Sequence, residues 1–183
     1  ECLDRLLGLD AIFVRGNADR LPEHIPGSSW VAERLAPLSL EFLRELPESI
    51  SLGGVRYCHG SPRSDEEILT RVSPEERMRG ALAGVAERLV VGGHTHVQFV
   101  RDVDGIRFAN AGSVGMPYEG RRGAFWALVD GEQIELRHTP YAVEAAVAAI
   151  KGKGYPHEED LVSWLLDPKD PDEVSAYFES IAA

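Results

Sequence analysis

Residues 89–96 read Leu-Val-Val-Gly-Gly-His-Thr-His and combine a strand pattern with two closely spaced histidines. The apolar run 89–91 is typical of a strand buried inside a parallel sheet. The two glycines allow the backbone to turn sharply and to approach a bound ion closely. His94 and His96 then lie on a turn beyond the strand end, where each imidazole can hold a different metal ion. Because a His-x-His pair alone is a weak signal, its meaning depends on the rest of the chain.

The composition restricts the classes of protein to consider. A chain of 183 residues with 44% apolar residues is expected to form one folded domain. The net charge of -11 argues against an extended nucleic-acid surface or an anionic membrane surface, although bound cations would still allow a small phosphate substrate. No apolar run is long enough to span a membrane, and no signal peptide is visible. Cys2 and Cys58 are too few for a disulfide framework, which favours a cytoplasmic protein.

The N-terminal part of the sequence alternates helical and strand patterns. A helical pattern over residues 1–7 begins without a methionine, so we expect further sequence before Glu1. The apolar run 11–14 predicts a buried strand of a parallel sheet. The remaining elements of this part are two short helices and a hairpin with a Gly-Gly turn, predicted over 28–35, 39–46, 49–52 and 55–58.

The middle of the chain begins with a helix start signal. Ser73 and Glu76 form a capping-box pattern with Pro74 between them. The helix that they open should carry a core stripe made of Met78, Leu82, Val85 and Leu89. Two Asp-Gly turns then predict antiparallel hairpins, with strands over 97–103, 106–109, 124–129 and 133–138.

The C-terminal part, from residue 143 onward, shows three apolar helical stripes separated by prolines. We therefore predict a single α/β domain over residues 1–183, with residues 142–183 as a helical cover. Its expected architecture is two stacked mixed β-sheets flanked by helices, which makes four layers.

Four loops with glycine and polar side chains follow predicted strands. They are residues 16–19 (Gly-Asn-Ala-Asp), 59–62 (His-Gly-Ser-Pro), 92–96 and 110–115 (Asn-Ala-Gly-Ser-Val-Gly). Because strand ends gather at one edge of a sheet, we expect four side chains to converge on one pocket: Asn17, His59, His94 and His96. An amide carbonyl and three imidazoles form a suitable first shell for the metal ions of hydrolytic enzymes.

In this order the motifs resemble those of the calcineurin-like metallophosphoesterases, specifically the small bacterial and archaeal phosphodiesterase branch. The resemblance runs from Glu1 to about Ile150. It implies a cofactor of two divalent metal ions (Mn, Fe, Zn or Ni) with a bridging water that attacks phosphorus in line. The family pattern assigns three side chains to one ion and His96 to the other, the three being Asn17, His59 and His94. The resemblance also implies catalytic roles for Asn17, Asp19 and His94.

The chain departs from the family pattern in two ways. The Asp-x-His and Gly-Asp motifs that supply further metal ligands are missing, and the resemblance places both of them before Glu1. Many family members also have a histidine after the motif asparagine, where it contacts phosphate and can protonate the leaving group. This chain has Ala18 at that position. Asp19 would orient that histidine, so its expected role here is reduced to capping the turn.

The candidate residues also have simpler interpretations. Asn17 alone is more often a turn residue than a ligand, and His59 alone could bond to a carbonyl in the core. Cys58 is expected to be a small buried hydrophobe. Arg121 and Arg122 lie in a loop that is ordinarily solvated. They are nevertheless our candidates for substrate binding, because the arginine fork matches phosphate geometry.

Two classes of function remain open from the sequence. The first is a metal-dependent phosphodiesterase or phosphatase that acts on a small phosphoester, and the sequence leaves a homo-oligomer possible. The second is a protein-interaction scaffold that has the same fold and a weakened metal site. The retained Asn17 and the three histidines favour the enzyme. A nuclease is disfavoured by the acidic charge and the lack of a basic stripe.

Overall fold

The computed structural model describes residues 2–182. This part of the chain contains seven α-helices, one 3-10 helix and seven strands. The helices are α1 (Cys2–Leu7), the 3-10 helix (Asn17–Arg20), α2 (Ser28–Ala32), α3 (Pro37–Glu45), α4 (Glu75–Ala81), α5 (Val143–Ile150), α6 (Glu158–Leu166) and α7 (Pro171–Ile181). The strands are β1 (Ser49–Leu52), β2 (Val55–Cys58), β3 (Leu89–Gly92), β4 (Phe99–Val103), β5 (Ile106–Asn110), β6 (Ala124–Asp130) and β7 (Gln133–Thr139). The predicted N-terminal helix is present from Cys2, and Glu1 lies outside the described residues.

Five of the strands form a mixed sheet in the order β1-β2-β3-β5-β4. The central strands β2, β3 and β5 are parallel, with Tyr57 opposite Val91 and Val91 opposite Ala109. The outer pairs β1–β2 and β4–β5 are antiparallel. Strands β6 and β7 form a separate antiparallel ribbon. All three predicted hairpins are present, and the fold class α/β is confirmed.

The five-stranded sheet is covered on both faces. Helix α4 covers one face, because Met78 and Ala81 pack into a buried cluster with β-strand residues such as Val90 and Phe108. On the other face, Val129 and Ile134 of the β6–β7 ribbon pack against a second cluster, which consists of Val55, Leu89, Val91 and Ala109. The ribbon therefore stacks on the main sheet, and the core lies between these layers.

The second sheet differs from the prediction. It has two antiparallel strands, whereas two mixed sheets were expected. The outer face of the ribbon exposes Trp126 and Leu128, so the fourth layer stays a prediction. The predicted strand over residues 11–14 is wrong, because this segment pairs with no strand among the described residues and Ile12 is 65% exposed. An apolar run shows that a strand is compatible with the sequence, but it cannot show which neighbour would pair with it.

The predicted capping box is also wrong. The Ser73 hydroxyl accepts a hydrogen bond from the backbone nitrogen of Thr70 (2.8 Å), and Pro74 precedes helix α4 without a side-chain cap. The helix ends at Ala81, so it is shorter than its apolar stripe suggested, and Leu89 belongs to β3. The prediction that Met78 is a core residue is confirmed, since its side chain is fully buried.

The C-terminal helices are present as predicted. Helices α5 and α6 pack together through Val143, Val147 and Leu165. Helix α7 begins with a side-chain cap, because the Asp170 carboxylate accepts hydrogen bonds from two backbone nitrogens of the first turn. The apolar stripe predicted on α7 is only partly correct, since Tyr177 and Ile181 are exposed. Within residues 2–182, none of the helices combines the length and apolar character that a membrane crossing requires.

Candidate metal centre

The parallel strands β2 and β3 deliver the histidine loops to one edge of the sheet. His59 follows the last residue of β2, and His94 lies two residues after the end of β3. The two loops are joined directly, because the Gly93 backbone nitrogen donates a hydrogen bond to the His59 carbonyl (2.7 Å). Gly92 is required for this packing, since a Cβ atom there would lie 2.8 Å from the Phe108 ring.

Three of the four predicted ligands are in direct contact. The Asn17 Oδ1 atom lies 3.0 Å from His59 Nε2. The His94 Nδ1 atom lies 3.2 Å from the same His59 nitrogen. His96 lies close enough to His59 and His94 to interact with both electrostatically. The structure therefore brings together three of the four predicted ligands, and His96 lies in the same loop as His94.

The histidine loop adopts a strained backbone conformation. His94 and His96 have φ angles of 68° and 59°, in the left-handed region that non-glycine residues rarely adopt. Strain of this kind concentrates at functional sites and persists only where the surroundings enforce it. Asn110 provides that support, because its buried amide nitrogen donates to the Gly93 carbonyl and to the Thr95 hydroxyl (2.9 Å). The loop 110–115 thus contributes a structural clamp for the histidines.

Interactions at the other ring nitrogens orient the imidazoles. His96 Nδ1 bonds to the Met116 carbonyl (2.8 Å), which leaves its Nε2 lone pair free for a ligand. The Tyr118 ring stacks on His96 with a centroid distance of 5.4 Å. The His94 ring has a hydrogen-bonding interaction with the Glu66 backbone. Such second partners fix the tautomer and the direction of a metal-binding histidine.

Burial lowers the pKa of all three imidazoles and so favours their uncharged form. Burial lowers the pKa of His59 to about 4, and the neighbouring histidines add to this shift while Asp65 opposes it. Burial also lowers the pKa of His96 to about 4, against the opposing bond to Met116. Burial also lowers the pKa of His94. Neutral imidazole is the form that binds a metal ion.

The loop 16–19 forms a tight turn against His59. A Cβ atom at Gly16 would lie 3.2 Å from the His59 ring, so glycine allows this close approach. Asp19 Oδ2 accepts a hydrogen bond from the Gly16 backbone nitrogen (2.7 Å), which is the turn-capping role expected for it. Ala18 is exposed beside Asn17. A catalytic role for Asp19 stays a prediction.

The two arginines that we predicted to bind substrate are engaged with the protein. Arg122 donates to the Leu166 carbonyl (3.0 and 2.7 Å) and bonds to Glu144 (2.9 Å), so it connects its loop to α5 and α6. The Arg121 guanidinium lies over the Phe125 ring, 5.1 Å from its centroid. Their role in substrate binding remains a prediction.

The sequence did not reveal the residues that support the ligands. Asp65 and Glu66 belong to an acidic run that is ordinarily solvated, yet Asp65 is only 5% exposed. Met116 and Tyr118 lie beyond the recognised motifs. The only sequence signal for these residues was their position shortly after His59 or after the loop 110–115.

The donor set fits a metal ion, although it is incomplete. Within residues 2–182, no group of three or more His, Cys, Asp or Glu side chains could hold a metal ion. Amide oxygens can also bind metal ions. With the Asn17 carbonyl included, His59 and His94 belong to a set of three neutral donors in contact. Imidazole and amide ligands suit zinc and other transition metals. His96 has a free nitrogen that could serve a second ion.

Comparison with known proteins agrees with this fold and site. The model of the calcineurin-like phosphoesterase superfamily domain matches residues 1–133. The chain belongs to the calcineurin-like phosphoesterase superfamily. No curated protein sequence matches the chain.

Two solved structures share the fold over most of both chains. A metallophosphoesterase from Sphaerobacter thermophilus is 25% identical and superposes with a TM-score of 0.73, covering 91% of this chain and 81% of that one. A hypothetical protein from Pyrococcus horikoshii is 19% identical and superposes with a TM-score of 0.70, covering 92% of this chain and 78% of that one. The second likeness concerns the fold alone.

Proposed function

We propose that this protein hydrolyses a phosphoester, most simply a phosphodiester or a nucleotide-type substrate, with the help of divalent metal ions. The observation that carries the proposal is the contact between Asn17, His59 and His94. These side chains come from three separate loops, and their donor atoms converge in a fold of the phosphoesterase superfamily. If Asn17 were only a turn residue and the histidines only core residues, their donor atoms would not be expected to meet at one point.

The proposed centre uses Asn17, His59 and His94 for one ion and His96 for the other. When bound, a pair of divalent ions activates a water molecule and neutralises charge on the phosphoryl group. The chain's own residues hold the donor atoms in place. The Met116 carbonyl and the Tyr118 ring fix the direction of His96, and the turn 16–19 places Asn17 Oδ1 3.0 Å from His59 Nε2.

The experiment measures hydrolysis of bis(p-nitrophenyl) phosphate with added Mn²⁺, Zn²⁺ or Ni²⁺. We expect activity that disappears on chelation and returns when the metal is restored. His94→Ala should remove most of it, whereas the exposed His24→Ala should not. Turnover that survives exhaustive chelation would overturn the proposal.

The scaffold remains the second candidate because the ligand set within residues 2–182 is incomplete. A scaffold would show no metal-dependent hydrolysis and no binding of zinc to the histidine cluster. The hydrolysis assay, together with a measurement of zinc binding, therefore separates the two functions.

A further inference from the structure

We propose that Asp65 is a positioning residue that holds the Asn17 loop against His59 and thereby sets the metal affinity of the centre. The inference rests on the proposed metal-binding function. It assigns a task to a buried carboxylate that is not itself a ligand in the proposed centre.

Asp65 binds two arginines at once. Its Oδ2 atom lies 3.3 Å from Arg15 Nε, and its Oδ1 atom lies 3.2 Å from Arg20 Nη2. Its side chain is only 7% exposed. A buried carboxylate is tolerated when it is paired and hydrogen-bonded, and both of its oxygens meet that requirement here.

The two arginines flank the loop that carries Asn17. Arg15 precedes Gly16, and Arg20 is the last residue of the 3-10 helix that starts at Asn17. The loop is therefore fixed at both ends by one side chain. Between these ends, Gly16 contacts the His59 ring and Asn17 Oδ1 lies 3.0 Å from His59 Nε2.

The position of Asp65 in the chain makes this arrangement specific. It lies six residues after His59, in the loop that follows β2. One segment thus carries His59 and the carboxylate that anchors the asparagine loop, which comes from a distant part of the sequence.

Loss of the Asp65 charge removes the buried ion pair at each end of the loop. It leaves the two arginines with exposed partners alone, Glu48 and Glu66. The Asn17 carbonyl would then be held less firmly, and metal binding would have to restore the order of the loop. Residues that orient metal ligands typically change metal affinity by about 10–100-fold when they are replaced.

The test is a titration of the full-length protein, including any residues that precede Glu1, with Co²⁺, followed by the visible absorption of the bound cobalt. We expect Asp65→Asn to weaken binding by about 10–100-fold. Glu48→Gln is the matched control, because Glu48 also pairs with Arg15 and the charge change is the same, but its side chain is 59% exposed. An exposed pair of this kind should change the affinity by no more than about twofold.

A double-mutant cycle separates positioning from simple charge attraction. Asp65 lies near His59 and His94, so its negative charge could also favour a bound cation directly. If Asp65 acts through Asn17, then Asp65→Asn should have little further effect in an Asn17→Ala background. A full effect of Asp65→Asn in that background would overturn the proposal.

A second variant keeps the test decisive if Asp65→Asn does not fold. Arg20→Gln removes one of the two Asp65 anchors, together with the exposed Arg20–Glu66 pair, and it should also weaken cobalt binding. Cobalt binding by the wild type with unchanged affinity in each variant that folds would overturn this inference alone. Failure of the wild type to bind cobalt at the histidines would overturn the proposed metal centre and this inference with it.

Discussion

At the scale of single residues, Ala18 is the position where the site lacks a titratable group. Its methyl group is exposed next to Asn17, and the adjacent Asp19 carboxylate is used to cap the turn. A phosphoester leaving group departs as an alkoxide unless a neighbour protonates or stabilises it. A well-placed general acid contributes about 10²–10⁴-fold to such a step.

We therefore expect a strong dependence of turnover on the leaving-group pKa. Activated aryl esters and phosphoanhydrides should be good substrates, and unactivated alkyl esters should be poor ones. Ala18→His should raise turnover most for the poor leaving groups. Rates of both proteins over a graded ester series measure this effect. A wild type that is insensitive to leaving-group pKa would show that another residue supplies the proton.

A substitution at Gly92 tests how closely the histidine loop is packed on the sheet. A methyl group at this position meets the Phe108 ring at 2.8 Å, whereas at Gly93 the nearest heavy atom is 3.8 Å away. Overpacking of a buried site typically costs about 1–3 kcal/mol. We expect this loss in the free energy of unfolding for Gly92→Ala, and less than about 0.5 kcal/mol for Gly93→Ala. Urea unfolding measures both, and equal losses would contradict the packing described here.

At the scale of elements, one carboxylate of the C-terminal helix makes several contacts with the segment around the start of α4. Glu179 on α7 accepts hydrogen bonds from Thr70, Ser73 and Arg77. Burial raises the pKa of Glu179, but the hydrogen bonds from the two hydroxyls and the charge of Arg77 outweigh it, so the pKa falls below its ordinary value of 4.5. A lowered pKa means that folding stabilises the charged form of the Glu179 carboxyl group relative to its neutral form.

Because of this attachment, we expect the free energy of unfolding to depend on pH in the acid range. The contribution of Glu179 is fully present above pH 4.5 and is lost as the pH falls through the lower pKa of the folded state. Glu179→Gln should therefore reduce the free energy of unfolding by about 2 kcal/mol at pH 7, with a smaller difference at low pH. The exposed Glu41→Gln serves as the control. Parallel stability curves for wild type and Glu179→Gln between neutral and acid pH would refute the assignment.

The elements also show which features could be predicted from the sequence. Turns with local chemistry were predicted correctly, since the Asp-Gly pairs at 104–105 and 130–131 connect β4–β5 and β6–β7. The prediction of a strand over residues 11–14 was wrong because strand pairing depends on the tertiary structure, which four apolar residues do not determine. The loops of the site were found through glycines next to metal-binding residue types. Asp65 was missed because burial of one member of an acidic run depends on two distant arginines.

At the scale of the whole molecule, the proposed metal centre exists only in the folded chain. Asn17, His59 and His94 are far apart in sequence and meet only when the loops dock. A ligand that binds only the folded state stabilises it, by about 1.4 kcal/mol at ten times its dissociation constant. For a domain of this size the melting temperature should rise by roughly 3–6 °C. Thermal unfolding with Co²⁺ should show this rise for the wild type and lose it in His59→Ala.

The central claim is that the cluster of Asn17, His59 and His94 is a metal centre. Its most direct test is a crystal structure of the zinc-loaded protein with anomalous data collected at the zinc absorption edge. We predict an anomalous peak in contact with Asn17 Oδ1 and with a ring nitrogen of both His59 and His94. If zinc at saturating concentration gives no peak at this cluster, or peaks only at surface residues elsewhere, the claim is contradicted.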